Sequence, residues 1–180
     1  MNIQKRSTKE ILTQNRGRGT SPLIARTSVW LHNIRSLFNV GSAFRTADAF
    51  GVEALHLSGF TPLPPRPEIS KTALGAQQHV PWKAHEDAGA SLDELKSKGT
   101  MIVAIEQTNR SKLLPEFLPP KNKPLCLIFG SEVSGIDNQL LPLADEWVEI
   151  PQFGEKHSFN ISVSIGIVLY HIYFQSQYLT

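Results

Sequence analysis

Short, nearly unbroken apolar runs alternate along this chain with longer segments of helical periodicity. Ser28-Val29-Trp30-Leu31-His32, Ala54-Leu55-His56-Leu57, Met101-Ile102-Val103-Ala104-Ile105 and Leu125-Cys126-Leu127-Ile128-Phe129 lack the strict apolar/polar alternation of a strand with one wet face. Such runs belong to strands covered on both sides, which is the environment of a parallel sheet. A further short strand is expected at Val80-Pro81-Trp82 and another just before Pro151. Helices are expected over Ser7–Gln14, Val40–Phe50, Ser70–Gln77, Ser91–Lys98 and Asn160–Gln175. Asn39 is placed to cap the second of these and Gly51 to end it, and Leu92 and Leu95 give the fourth an inward side. The alternation predicts an α/β fold, a mostly parallel sheet with helices on both faces, over residues 28–180 and behind an arm of residues 1–27.

Two features qualify that picture. The segment Ser58 to Pro67 holds four prolines and is expected as a surface loop at the carboxyl edge of a strand, a place where loops often bind ligands. The last helix carries Ile161, Ile165, Val168, Leu169, Ile172 and Tyr173 on an apolar face broad enough either for full burial or for sharing with a second subunit.

The length of 180 residues suits one core. The net charge of +2 conceals an asymmetry, because residues 1–45 hold eight Lys or Arg (Lys5, Arg6, Lys9, Arg16, Arg18, Arg26, Arg35, Arg45) against the single acid Glu10. A basic head on a weakly acidic body suits a polyanion such as RNA or DNA, or else is a solvated tail. No apolar run nears the roughly 20 residues of a membrane helix and no signal-peptide core is visible, so a cytoplasmic location without membrane contact is expected. Cys126 lies within an apolar run and reads as a buried small hydrophobe; the six histidines show no metal-ligand spacing, so no metal is expected.

Three patches carry candidate chemistry. In Asn33 to Asp48, Asn39 and Gly41 open a helix with Arg45 on its second turn, which makes either an anion site or a capped helix with a surface arginine. In Leu127 to Ile136, Gly130 and Gly135 permit turns and close ligand approach, while Glu132 argues against a phosphate and for a cationic or hydroxyl-bearing ligand. In Ile150 to Val163, Ser158, Asn160 and Ser162 crowd a helix start that needs only one cap; His157 reads as a loop histidine.

Taken in order, NVGSAFRTADAFG, LIFGSEVSGI and IPQFGEKHSFNISVS resemble the three motifs of the TrmH (SpoU) family of RNA ribose 2'-O-methyltransferases in the SPOUT superfamily. The resemblance runs from Val29 to Tyr173 and implies a carboxyl-terminal trefoil knot, a homodimer with a site built from both subunits, and S-adenosyl-L-methionine as cofactor. It implies cofactor contacts at Gly130, Ile150, Phe159 and Thr108, with Phe159 standing where many relatives have leucine. The catalytic set it implies is Arg45, Asn39, Glu132, Ser158 and Asn160. Arg16, Arg18, Arg26 and Arg35 are then expected to contact RNA phosphates. Transfer RNA, with a D-loop guanosine as the first target, or ribosomal RNA is the implied substrate; the competing readings are a non-enzymatic RNA-binding or assembly factor on the same fold and a base-methylating relative.

Overall fold

The computed structural model describes residues 3–178. Among these, seven strands form one sheet: β1 (Thr27–His32), β2 (Ala54–Ser58), β3 (Trp82–His85), β4 (Met101–Ile105), β5 (Lys112–Leu113), β6 (Leu125–Phe129) and β7 (Glu146–Glu149). Their order is β3-β2-β1-β6-β4-β7-β5, and every pairing is parallel. The central strands bury both faces, as their unbroken apolar sequences demand. Val29, Leu31, Leu125, Leu127, Phe129 and Val103 point into one core, and Trp30, Cys126, Ile128, Ile102 and Ala104 into the other.

Helices α2 (Leu37–Phe50), α3 (Pro67–Ala73) and α5 (Ile161–Ser176) belong to the first core, and α4 (Ala88–Ser97) closes the second with Ala88 and Leu92. Helix α1 (Thr8–Arg16) stands apart with every residue exposed and forms on local terms, through a reciprocal capping box between Ser7 and Glu10. The core takes in Leu23 and Ile24, upstream of the expected domain start at residue 28. Thr20 also ties to the body by donating its hydroxyl to the Phe50 carbonyl at 2.7 Å. No described helix is long and apolar enough to cross a membrane.

The differences from the sequence expectation have local causes. Helix α2 starts at Leu37, because Ser36 rather than Asn39 accepts the first free amide, Asn39 N–H, at 3.2 Å. Gly41 is buried, and a Cβ there would stand 2.1 Å from Thr72 Oγ1 and 2.3 Å from the Ile69 carbonyl oxygen, so it serves the packing of α2 on α3 and no anion site. The strand expected at Val80–Trp82 begins at Trp82: Pro81 has no amide to donate, and the edge position leaves Trp82, Lys83 and Ala84 exposed, without a buried strand's apolar signature. Strand β5 spans two residues at the opposite edge.

Beneath β1 and β2 lies an aromatic stack. Half-buried His56 and His85 stack side by side against Trp30 at centroid distances of 5.0 and 4.4 Å, and the two imidazoles meet at 2.8 Å. Burial, with the neighbouring His85 and Lys83 charges, pushes the His56 pKa down to about 4, and His85 is lowered by the same burial. The unfolded chain therefore takes up protons first as the pH falls below about 6.5, and stability declines until His56 itself titrates near 4. Urea unfolding should show a loss of about 2 kcal/mol between pH 7 and 4.5 from His56 alone. In His56→Gln that slope should flatten, whatever the variant's absolute stability; an unchanged slope would assign the acid sensitivity to other groups.

Candidate active site

The sheet changes winding direction between β1 and β6, so the loops leaving their carboxyl ends diverge and open a crevice. The loop after β6 is folded back on itself by two backbone hydrogen bonds, from Ser131 N–H to the Gly135 carbonyl at 2.9 Å and from Gly135 N–H to the Ser131 carbonyl at 3.0 Å. Its glycines are there for closure. A Cβ on Gly130 would lie 2.1 Å from the Gly135 carbonyl carbon and 2.2 Å from the Ile136 nitrogen. Gly135 adopts φ +69, and a Cβ there would meet the Glu106 carboxylate at 2.2 Å. The sequence suggested turns and close ligand approach at these glycines; the Cβ side of each is filled by the loop's own backbone or by Glu106, and both residues also line the neighbouring cavity.

Glu106, at the end of β4, accepts the Ile136 amide at 2.9 Å with one carboxylate oxygen and the Gln107 amide at 2.9 Å with the other, which locks the two neighbouring loops together. Gln107 reaches the third loop, donating to the His157 carbonyl at 2.7 Å, and Gln152 donates to the same carbonyl at 3.2 Å. The three loops enclose a cavity of about 350 Å³. Gly130, Ile150 and Phe159, expected to contact a cofactor, line it, as do Glu132 and Ser158. Thr108 does not. Its hydroxyl accepts the Arg110 amide at 3.1 Å within the turn that follows β4, and Glu106 and Gln107 take the wall position instead. The sequence reading takes the Glu106-Gln107-Thr108 segment as a sign of a transfer-RNA substrate and gives neither Glu106 nor Gln107 a place in the site; their position at a strand's carboxyl end was the usable signal.

The three motif patches meet at one carboxylate. Glu132 Oε1 accepts from Asn39 Nδ2 at 2.7 Å, and its Oε2 accepts from the Arg35 backbone amide at 3.3 Å. Asn160 donates its side-chain amide to Asn39 Oδ1 at 3.3 Å, completing a chain of contacts from α2 through the β6 loop to α5. Asn160 is also the cap of α5: its Oδ1 accepts the Ser162 amide at 2.9 Å and the Ser162 hydroxyl at 2.6 Å. Ser162 is thereby engaged in capping, whereas Ser158 faces the cavity.

The arginines are dispersed. Arg45 is exposed on α2, has no hydrogen-bond or ion-pair partner among the described residues, and does not line the cavity of its own chain. It stands six residues beyond Asn39, about 9 Å further along the helix axis. Arg16 and Arg18 are exposed in the amino-terminal arm, and half-buried Arg26 donates to the Lys121 carbonyl. Arg35 alone of the four stands at the crevice, its guanidinium 5.6 Å above the Phe60 ring.

Two other reactive-looking groups are inert. Cys126 is fully buried, and burial pushes its thiol up to about 12. Ser58, His32 and Asp137 form a hydrogen-bonded line, with contacts of 2.8 and 3.0 Å, that has the order of a nucleophile relay. Ser58 is only 3% exposed and its oxygen accepts the Trp30 indole N–H at 2.7 Å, so no substrate can reach it.

An open parallel α/β sheet with a carboxylate-lined pocket at the carboxyl ends of β6, β4 and β7 defines a class of small-molecule-binding α/β proteins, and comparison with known proteins narrows it. The sequence model of the SpoU rRNA Methylase family matches residues 26–170. The chain belongs to that family. It is 30% identical to the tRNA (guanosine(18)-2'-O)-methyltransferase of Escherichia coli over 150 residues, covering 83% of this chain and 64% of that one. With the enzyme of the same name from Borreliella burgdorferi the identity is 30% over 168 residues, covering 91% and 75%. The A. aeolicus TrmH/SpoU tRNA modifying enzyme superposes with a TM-score of 0.78 at 25% identity, covering 94% of this chain and 84% of that one. An AdoMet-bound rRNA methyltransferase from Sinorhizobium meliloti superposes with a TM-score of 0.77 at 26% identity, covering 89% and 59%. This chain spans 58% of the length of a Staphylococcus haemolyticus relative of the TrmH family.

The loop closure can be tested directly. Gly135→Ala should lower the unfolding free energy by about 1–3 kcal/mol, because alanine must be held at positive φ against the Glu106 carboxylate. Gly154→Ala, where open space surrounds the added methyl, should stay within about 0.5 kcal/mol of the wild type by urea denaturation.

Proposed function

We propose that this protein is an S-adenosyl-L-methionine-dependent RNA 2'-O-ribose methyltransferase acting in the cytoplasm on transfer RNA, with a D-loop guanosine as first target, or else on ribosomal RNA. The observation that carries the reading is the Asn160–Asn39–Glu132 chain, which ties three distant motifs to the rim of one cavity. Relatives named as guanosine-18 tRNA 2'-O-methyltransferases at 30% identity support the choice of substrate.

The pocket's chemistry fits the cofactor. Its volume of about 350 Å³ is in the range of small-molecule sites, Ile105, Phe129, Ile150 and Phe159 offer apolar surface for a purine, and Glu106, Glu132 and Glu149 bring carboxylates suited to a cation and to ribose hydroxyls. When bound, S-adenosylmethionine would supply an electrophilic methyl group on a sulfonium. Gly130, Ile150 and Phe159 would hold it, and the segment from Gly130 onward would be threaded as the trefoil knot of the SPOUT fold. The ribose 2'-oxygen must then lie in line behind the methyl group and lose its proton as the new O–C bond forms. Alignment of this kind is worth roughly 7–11 kcal/mol in well-oriented reactions.

Glu132 positions Asn39 and the loop carrying Arg35, Asn160 steadies Asn39 from the other side, and the Ser158 hydroxyl is free to meet the ribose or its phosphate. A guanidinium keeps its proton far above neutral pH, so Arg45 would clamp the neighbouring phosphate and stabilise negative charge developing on the 2'-oxygen, with the proton passing to that phosphate or to water. Because Arg45 stands away from its own chain's cavity, the working unit would be a homodimer in which the partner subunit's Arg45 completes the site. The exposed apolar residues of α5 (Val163 48%, Tyr170 60%, Tyr173 41% and Phe174 46%) supply a surface for such pairing. The amino-terminal arm, residues 1–27 with Arg16, Arg18 and Arg26, would add phosphate contacts independent of sequence.

Arg45→Ala and Arg45→Lys should both lower turnover on RNA by about 10²-fold or more, since neither preserves a planar two-pronged donor; near-normal rates in both variants would refute the role. Calorimetry with S-adenosylmethionine separates the enzyme from a non-enzymatic RNA-binding factor: the enzyme binds it, whereas RNA binding without measurable cofactor binding supports the factor. Removing residues 1–19 should weaken RNA binding at low salt and flatten its salt dependence, and unchanged affinity would exclude the arm from the interface.

A further inference from the structure

The surface beside the cavity carries an aromatic ring that contributes to neither core. Phe60, in the proline-rich loop after β2, is 54% exposed, yet the backbone that presents it is firmly held. Its amide donates to Asn33 Oδ1 at 3.1 Å. The next residue, Thr61, is 4% exposed; its hydroxyl donates to the Leu31 carbonyl at 3.2 Å and accepts the Ile34 amide at 3.0 Å. Asn33 adopts φ 59 and donates its own side-chain amide to Asp137 at 3.1 Å. Gly59, at φ +63, allows this arrangement, since a Cβ there would stand 1.8 Å from Asn33 Oδ1. A hydrogen-bonded frame anchored on buried Thr61 thus holds a large apolar side chain in water, which is a fixed platform and not a mobile loop tip.

The ring also has a charged lid. The Arg35 guanidinium lies 5.6 Å above its centroid, and the Arg35 backbone amide is bonded to Glu132 at the cavity wall. Ring, cation and cavity are therefore contiguous. We propose that Phe60 and Arg35 form a stacking subsite for one unpaired base of the RNA, beside the nucleotide whose ribose enters the cavity; this rests on the RNA methyltransferase reading above. Aromatic rings and guanidinium planes are the surfaces on which splayed RNA bases stack, and the guanidinium can at the same time reach a phosphate. The amide of Asn33 is committed within the frame, and stacking on a ring is tolerant of base identity. The subsite would accept any base and select unpaired over paired RNA.

The test measures binding of a short single-stranded RNA carrying one 2-aminopurine, and of the same sequence fully paired, to the full chain and to Phe60→Ala and Phe60→Tyr. Phe60→Ala should weaken single-strand binding by about 5- to 150-fold, the range for loss of one base–aromatic stack, and should abolish the 2-aminopurine quenching. Phe60→Tyr should keep both, and duplex affinity and S-adenosylmethionine affinity should be the same in all three proteins. An unchanged single-strand affinity in Phe60→Ala, an equal loss on single strand and duplex, or a change in association state measured by sedimentation would overturn the proposal, the last assigning the ring to a protein contact. A wild type that stacks the RNA base but neither binds the cofactor nor methylates RNA would sink the enzymatic reading and leave the subsite standing; normal methylation with an indifferent Phe60→Ala would do the reverse.

Discussion

The approach of the Gly130 backbone to the Gly135–Ile136 peptide is the constraint from which the rest of the carboxyl end of the sheet follows. A methyl group on Gly130 would sit 2.1 Å from the Gly135 carbonyl carbon, so the loop can close only if that position carries no side chain. Closure aligns the Ile136 amide with Glu106, and the resulting hydrogen bond joins the ends of β4 and β6, which are neighbours in the sheet. With those strands fixed together, the loop cannot swing, and Glu132 is held where Asn39 and the Arg35 amide can reach it.

Rigidity of this kind matters because the polar contacts at the site are few and partly exposed. Hydrogen bonds open to water contribute about 1 kcal/mol each, too little to position loops on their own. Here they act on backbone already fixed by packing. The same division of labour recurs at the end of β1, where buried Thr61, with Asn33 and Gly59, builds a hydrogen-bonded frame and Phe60 is mounted on its outside. The site's cation and anion chemistry is also divided in space. Carboxylates line the cavity, while Arg16, Arg18 and Arg45 stand on outer surfaces of the chain. A cationic cofactor held inside and a polyanion approaching from outside would each meet the charge it needs.

How much of this was legible in the sequence depended on the range of the interaction concerned. Helix α1 is set by a box between Ser7 and Glu10, the end of α2 by Gly51 at φ 71, and the central strands by residues whose both faces are apolar; all of these are visible within a window of a few residues. The edge strands were harder to read. Strand β3 is paired on one side only and exposes most of its residues, so nothing in Trp82-Lys83-Ala84-His85 announces burial. The start of α2 was read three residues late because Ser36 and Asn39 are both good caps, and Asn39 is drawn away from that task by Glu132, which is 93 residues distant in the chain.

The amino-acid sequence by itself determined the alternation of elements, the two-faced burial of the central strands and the three motif patches, because these depend on periodicity and on the identity of near neighbours. Only the tertiary structure decided the strand order, the places of Glu106 and Gln107 in the wall, the release of Thr108 to its own turn and the separation of Arg45 from the cavity of its own chain. The physical reason is that a side chain's partner is chosen by which loops converge at the ends of paired strands. That convergence is set by packing across the whole sheet, and no local preference for turn, cap or charge encodes it.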